Sequence, residues 1–230
     1  MNAPRLVTRA RVHDARVHLS VVVVVDLLRV DDGETAFPRD QWEVAWRCPH
    51  LGILGAVTDL GSPDITNLIF DEHVEFRGQF VALWDLRPSG AADRIAAAWQ
   101  PLADLLEVHA SAEEEILYPV LLKRGGDEAP EETDDAIRDH NEIRDAIRAA
   151  AGATPGSDAW WEAVMDCRKA NDDHLAEEER DVIPDFREHS DEELRSELGV
   201  QWVAFHAEHR GARGVSGDDV GPAEYIEEHS

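Results

Sequence analysis

Cysteine is nearly missing from this sequence. Cys48 and Cys167 are the only two, far apart and outside any C-x-x-C pattern, so neither a disulfide framework nor a zinc-thiolate site is indicated. A reducing cytoplasm is the setting this usage fits. Lysine is equally scarce, at Lys123 and Lys169 only, and 22 Lys and Arg face 49 Asp and Glu for a formal net charge of -27. Phosphate binding depends on concentrated basic residues, so nucleic acid and anionic membrane are not expected partners. Attraction to cations is the natural inference, set against the rule that a charge run is usually a solvated face. No apolar run of about 18 residues exists to cross a bilayer. No flavin motif, nucleotide-binding loop or reductase domain appears either, so any electron donor is external.

What is present reads as helix. Hydrophobic residues make up 43% of the chain, which suits a globular protein. From about Asp64 onward apolar residues recur at helical spacing, with breakers confined to short gaps. Asp64 caps a first helix through Ile69, Phe70, His73, Phe76, Phe80 and Trp84 that ends near Arg87 to Gly90. A second spans about Ala92 to Lys123 and stops at Gly125 and Gly126. A third begins near Thr133 and carries Ile137, His140, Ile143 and Ile147. Ser157 caps a fourth that runs past Trp161, Cys167 and His174 to about Phe186. A shorter fifth, from about Asp191 to His209, has an apolar stripe of Leu194, Leu198, Trp202 and Phe205. The expected architecture is all-α: an antiparallel up-down four-helix bundle with an additional C-terminal helix.

The expected domain spans residues 63–210. Residues 211–230 read as a flexible polar tail. Residues 1–62 differ in composition, and the run Val21 to Val25 looks like a short strand without an evident partner. This segment reads as a disordered extension or as translation from a start placed too early, and carries no assigned function.

The chemistry is carried by a repeat. His109-Ala-Ser-Ala-Glu113-Glu114-Glu115-Ile-Leu-Tyr-Pro119 returns 65 residues later as His174-Leu-Ala-Glu-Glu178-Glu179-Arg-Asp-Val-Ile-Pro184. Glu72-His73-Val-Glu-Phe-Arg77 returns after 67 residues as Asp139-His140-Asn-Glu-Ile-Arg144. Two helical hairpins therefore look like copies, each giving a lone His from one helix and a His-x-x-x-Glu pair from the next. Residues i and i+4 share a helix face, with Cβ atoms about 6 Å apart, so His109 with Glu113 and His174 with Glu178 can flank the same ion. Imidazole and carboxylate together suit first-row transition metals. One histidine on an apolar face is usually a hydrogen-bonded core residue; four, one on each helix, are not explained that way. Glu114, Glu115 and Glu179 read as solvated surface, with orientation of ligands as the alternative for Glu114 and Glu179. Arg77 and Arg144 read as partners of nearby acids, Tyr118 as a core tyrosine, Pro119 and Pro184 as helix bends or ends, and His189, His206 and His209 as surface.

These motifs resemble the hemerythrin-like proteins, also called HHE cation-binding domains, over about Asp64 to Phe186. The resemblance implies a four-helix bundle with two iron ions in an oxo- or hydroxo-bridged di-iron centre, and it makes His73, His109, Glu113, His140, His174 and Glu178 the ligand candidates. This chain departs from the oxygen-carrying members in two places. Arg144 stands where they have a second histidine, and Glu178 and Glu179 stand where they use His-x-x-x-x-Asp. Fewer protein ligands leave more positions for dioxygen, peroxide or nitric oxide, so redox reactivity or sensing is expected ahead of reversible carriage. The expectations are a di-iron protein that binds, senses or reduces those ligands, with peroxide- or oxygen-reducing activity possible, or a non-catalytic module for iron storage, buffering or regulation. A helical interaction protein with incidental histidines is a third reading. A ferritin-like oxidase fits less well, because Leu106 and Asn171 occupy the positions where Glu-x-x-His pairs need glutamate.

Overall fold

The computed structural model describes residues 63–230 and, before them, only the strands Thr8–Arg9, Val22–Val23, Val44–Arg47 and Leu54–Val57. Thr8–Arg9 pairs antiparallel with Val22–Val23, and Val44–Arg47 with Leu54–Val57. Part of the valine run thus has a strand opposite it. The reading of residues 1–62 as an extension or early start otherwise lies outside the described residues. The chain divides into units 1–61 and 62–230, and every regular element among the described residues of the second is a helix.

Helix α1 is Ile65–Asp85. Asp64 enters it in an extended conformation and accepts a hydrogen bond from the Thr66 backbone N–H at 2.9 Å, satisfying one of the amides that a helix start leaves unpaired. After a turn at Arg87–Ser89 comes α2, Ala92–Ala112. A π-helical turn at Glu113–Leu117 leads without a break into α3, Tyr118–Arg124. Helix α4 is Ala129–Ala151. Its start lies four residues ahead of the expected Thr133, because Pro130 at the first turn supplies helical φ where no N–H is needed. Helix α5, Asp158–Glu177, is capped by Ser157 and passes through a second π turn, Glu178–Val182, into α6, Ile183–Glu188. Helix α7 is Glu192–Glu208, capped by Asp191.

Pro119 and Pro184 were expected to bend or end their helices; each instead follows a π turn. Neither has an N–H for the carbonyl four residues back. The backbone widens so that the Tyr118 N–H reaches the Glu113 carbonyl and the Ile183 N–H reaches that of Glu178. Such single turns are frequent at functional sites, and both here begin on the repeated glutamate.

The apolar side chains form two clusters. One gathers Phe76, Leu83, Ile95, Leu102, Trp160 and Val164; the other gathers Ile69, Leu117, Tyr118, Ile137, Phe186 and Trp202. Along α1, α2, α4 and α5 the chain crosses between clusters at His73, His109, His140 and the His174–Glu178 turn, which form a buried polar layer. Phe70 and Trp84, expected in the stripe with His73, are 37% and 40% exposed. Ile69 and Leu83, one position earlier in each case, fill the core. Helix α4 packs along α5, α1 along α2, and α7 against both α1 and α2. The segment expected to be a flexible tail contains α8, Pro222–His229, which packs on α3 and α4 and buries Tyr225. No helix among the described residues is long and apolar enough to cross a membrane.

Candidate metal centre

Each repeated histidine is held through Nδ1 by a carboxylate. His73 Nδ1 lies 3.0 Å from Glu179 Oε1 and His140 Nδ1 2.9 Å from Glu114 Oε1, contacts that cross from one hairpin to the other. Within the hairpins, His109 Nδ1 lies 2.9 Å from Glu72 Oε2, and His174 Nδ1 lies 3.8 Å from Asp139 Oδ2. An ionised carboxylate can only accept, so at the three short contacts Nδ1 carries a proton and Nε2 is the nitrogen that faces inward, where it becomes a lone-pair donor once any proton it holds is displaced by a cation.

The Nε2 atoms meet two glutamates. Glu113 places Oε1 at 3.0 Å from His109 Nε2 and Oε2 at 3.1 Å from His140 Nε2. Glu178 Oε2 is 3.2 Å from His73 Nε2 and 3.8 Å from His174 Nε2, and the Nε2 atoms of His140 and His174 are 3.2 Å apart. All six residues are buried, at 3% exposure or less. Donor atoms from His73, His109, Glu113 and Glu178 lie within 4.8 Å of one another, as do those from Glu113, His140 and His174, so Glu113 belongs to both groups.

Charge favours this arrangement. Burial opposes ionisation of His109, but Glu113 and Glu72 outweigh it and hold the imidazole well above its usual value. Burial likewise opposes charge on Glu113, yet His109, His140 and His174 hold its carboxyl well below the ordinary range. Glu72, half-buried, is pulled down to about 2 by His109 and His206 against the opposing effect of burial. Glu72, Glu113 and Glu114 are thus kept ionised despite partial or full burial.

Several residues read as surface belong to the site instead. Glu114 is buried and accepts from Arg144 Nη2 on both of its oxygens, at 2.9 and 2.8 Å, besides making the contact with His140. It faces α4, whose His140 and Arg144 enclose it. Glu179 holds His73 and pairs with Arg77 at 2.9 Å. His206 Nε2 lies 3.1 Å from Glu72, and Trp202 Nε1 donates to the same carboxylate at 3.1 Å. Tyr118 donates to Glu113 Oε2 at 3.4 Å and stacks on His140, and the Tyr225 hydroxyl donates to the Glu114 carbonyl. The repeat signals Glu72 and Asp139, which precede the lone histidines in both copies; nothing in it signals Trp202, His206 or Tyr225, which lie outside it. His189 is exposed, as expected, and His209 is half-buried.

The residues fit a cation. His73 Nε2 and His109 Nε2 lie within ion-pair distance of Glu178 and Glu113, yet neither they nor Glu113 Oε1 nor the two Glu178 oxygens have a partner with hydrogen-bond geometry among the described residues, an arrangement a bound cation satisfies and a dry core does not. Nitrogen and oxygen donors without thiolate suit a first-row transition ion. A family model described as the hemerythrin HHE cation binding domain matches residues 64–186. No curated protein and no solved structure matches the chain.

Proposed function

The chain belongs to the hemerythrin HHE cation-binding domain family through residues 64–186, and from that premise we propose that it is a non-haem di-iron protein that binds, senses or reduces dioxygen, peroxide or nitric oxide in the cytoplasm. In this reading His73, His109, Glu113, His140, His174 and Glu178 hold two iron ions inside an up-down bundle built from α1, the α2–α3 rod, α4 and the α5–α6 rod. The observation that carries it is the convergence of unpartnered buried Nε2 and carboxylate atoms on two groups that share Glu113.

Bound iron would supply electrons and Lewis acidity. The side chains do the rest. Glu72, Glu114 and Glu179 fix the imidazoles of His109, His140 and His73 with Nε2 inward. Tyr118 holds a proton against Glu113 Oε2, and the two apolar clusters border the layer on either side along the bundle. Arg144, tied to Glu114, cannot serve as the additional ligand that oxygen-carrying relatives place at its position. That favours reactivity or sensing over reversible carriage, with electrons from an external donor.

Protein purified after iron-supplemented expression should contain about two irons per chain, the number that a paired His and carboxylate bundle site holds, and show a visible absorption lost on reduction. Stoichiometric zinc, or no metal, would sink the proposal. A non-catalytic iron-binding module uses the same ligands, and peroxide kinetics divide the two. Sustained consumption supports the reactive centre; a single slow oxidation supports the module.

A further inference from the structure

The two hairpins are copies at the metal ligands but not around them. With the offsets of 67 residues between α1 and α4 and 65 between the α2 and α5 rods, Ile65, Leu68, Ala112 and Ile116 correspond to Glu132, Asp135, Glu177 and Asp181. Four apolar positions in one copy are four acids in the other. In the first hairpin those positions lie under α7: Ile65, Ala112 and Ile116 share a cluster with Leu198 and Trp202, and Leu68, Leu194 and Phe205 pack against it. In the second hairpin no helix among the described residues closes the equivalent face. A cleft of about 370 Å³ opens there between α4 and the α5 π turn, lined by Glu132, Asp135, Asp139, Glu177 and Asp181, and it reaches His174 and Glu178 at its floor.

The floor is what separates this cleft from an ordinary acidic surface. Glu178 is 1% exposed, and neither of its carboxylate oxygens has a hydrogen-bond partner among the described residues. The contact behind His174 is also the loose one, 3.8 Å to Asp139 against 2.9 Å for Glu72 and His109. We propose that the α4–α5 cleft is the entrance through which a divalent cation is drawn to the buried cluster, while α7 seals the equivalent mouth of the other hairpin. This rests on the metal-binding reading above and adds its route of loading. Converging carboxylates on low-dielectric walls focus the field and raise the local cation concentration, an effect worth 10-fold to 1,000-fold in association rate for steered ligands. The crowding is visible at Glu132, whose carboxyl is pushed up to about 7 by burial and by Asp185, Asp181 and Glu128. A passing cation relieves that repulsion. Arg180, the cleft's basic residue, is exposed and bound to Asp181, so it does not block the floor.

The test is stopped-flow uptake of Co²⁺ by metal-free full-length protein, followed by its visible absorption, with final stoichiometry from elemental analysis. The variant is Glu131→Gln/Glu132→Gln/Asp135→Asn, three acids on α4 outside the buried cluster. The control, Glu192→Gln/Glu193→Gln/Glu197→Gln on α7, removes the same number of acidic groups from exposed positions that do not line the cleft. Uptake by the cleft variant should slow on the order of tenfold at low ionic strength, with stoichiometry unchanged and the control close to wild type. The difference should shrink as salt rises toward 0.15 M, where the screening length falls to about 8 Å. Equal rates in cleft variant and control would overturn the entrance while leaving the metal site standing, and so would a cleft variant that binds fewer ions, which would make these acids ligands. Wild-type protein that takes up no Co²⁺ or iron would overturn the metal reading itself and the entrance with it. If the cleft variant does not fold, Glu177→Gln/Asp181→Asn on the opposite wall is expected to give the same slowing.

Discussion

Glu114 and Glu179 occupy the same place in the two halves, one residue after a proposed ligand, yet their surroundings differ. Glu114 neutralises Arg144, which is 2% exposed, whereas Glu179 faces Arg77, whose side chain is 41% exposed. Removing one partner of a buried pair leaves an uncompensated charge, a loss of about 3–5 kcal/mol; removing a solvated partner is worth about 1 kcal/mol or less. Glu114→Ala should therefore destabilise the metal-free protein by several kcal/mol and Glu179→Ala by about 1 kcal/mol or less, as urea denaturation would measure. Both free an Nδ1 that orients a histidine, so both should weaken metal binding by about 10–100-fold in a chelator competition. Equal losses of stability would show that the Arg144 pair is solvated after all. The repeat singled out the four histidines and the two glutamates one turn from them, the family resemblance made those six the ligand candidates, and the structure brings them together. The burial of Glu114 was not legible in the sequence, because a residue following a ligand lies about 100° round the helix, and only the packing of α4 and α8, which brings His140, Arg144 and Tyr225 to it, encloses that face.

At the scale of elements, α1 and α7 carry the clearest consequences. Asp64 caps α1 and also accepts from Arg195 of α7 at 2.8 Å. Burial alone would raise its carboxyl, but the bonds from Thr66 and Arg195 outweigh that and hold it below its ordinary value. A lowered folded value means that its stabilisation is present at neutral pH and is lost as pH falls below the unfolded aspartate value of about 3.9. Asp64→Ala should thus cost about 1 kcal/mol at pH 7 and progressively less below pH ~4. Thermal melts of both proteins across that range check the sign; a difference that grows in acid would refute it. Gly199 of α7 sits so close to Pro63 that a Cβ would overlap the Pro63 carbonyl. Gly199→Ala should displace α7 at a cost of about 1–3 kcal/mol and loosen Trp202 and His206 from Glu72. A melt shift with unchanged tryptophan fluorescence would mean that α7 had stayed in place.

For the whole molecule, ions held only by the folded state stabilise it by mass action, about 2.7 kcal/mol at a free concentration 100 times the dissociation constant. Adding a chelator to loaded protein should lower the melting temperature, and restoring iron should raise it again. Melting that ignores both additions would assign the histidines to an ordinary hydrogen-bonded core. The net charge of -27 acts in the same direction, because self-repulsion in the compact state is eased by every cation taken up.

The sequence by itself determined the helices between residues 64 and 209, the capping residues Asp64 and Ser157, and the duplicated hairpin with its histidines and glutamates. Those features rest on local chemistry and helical period, which short spacings record. Tertiary structure decided the rest. That α7 supplies Trp202 and His206 to Glu72, that α8 docks Tyr225 on Glu114, and that one hairpin's mouth is covered while the other stays open all depend on contacts between residues far apart in the chain, 111 to 134 positions for the first two, which no local pattern encodes. The π turns fall between the two. The prolines that favour them are visible in the sequence, but whether a proline ends, bends or widens a helix is settled by what the following turn packs against, here Trp202, Phe186 and Ile137 of the second core cluster.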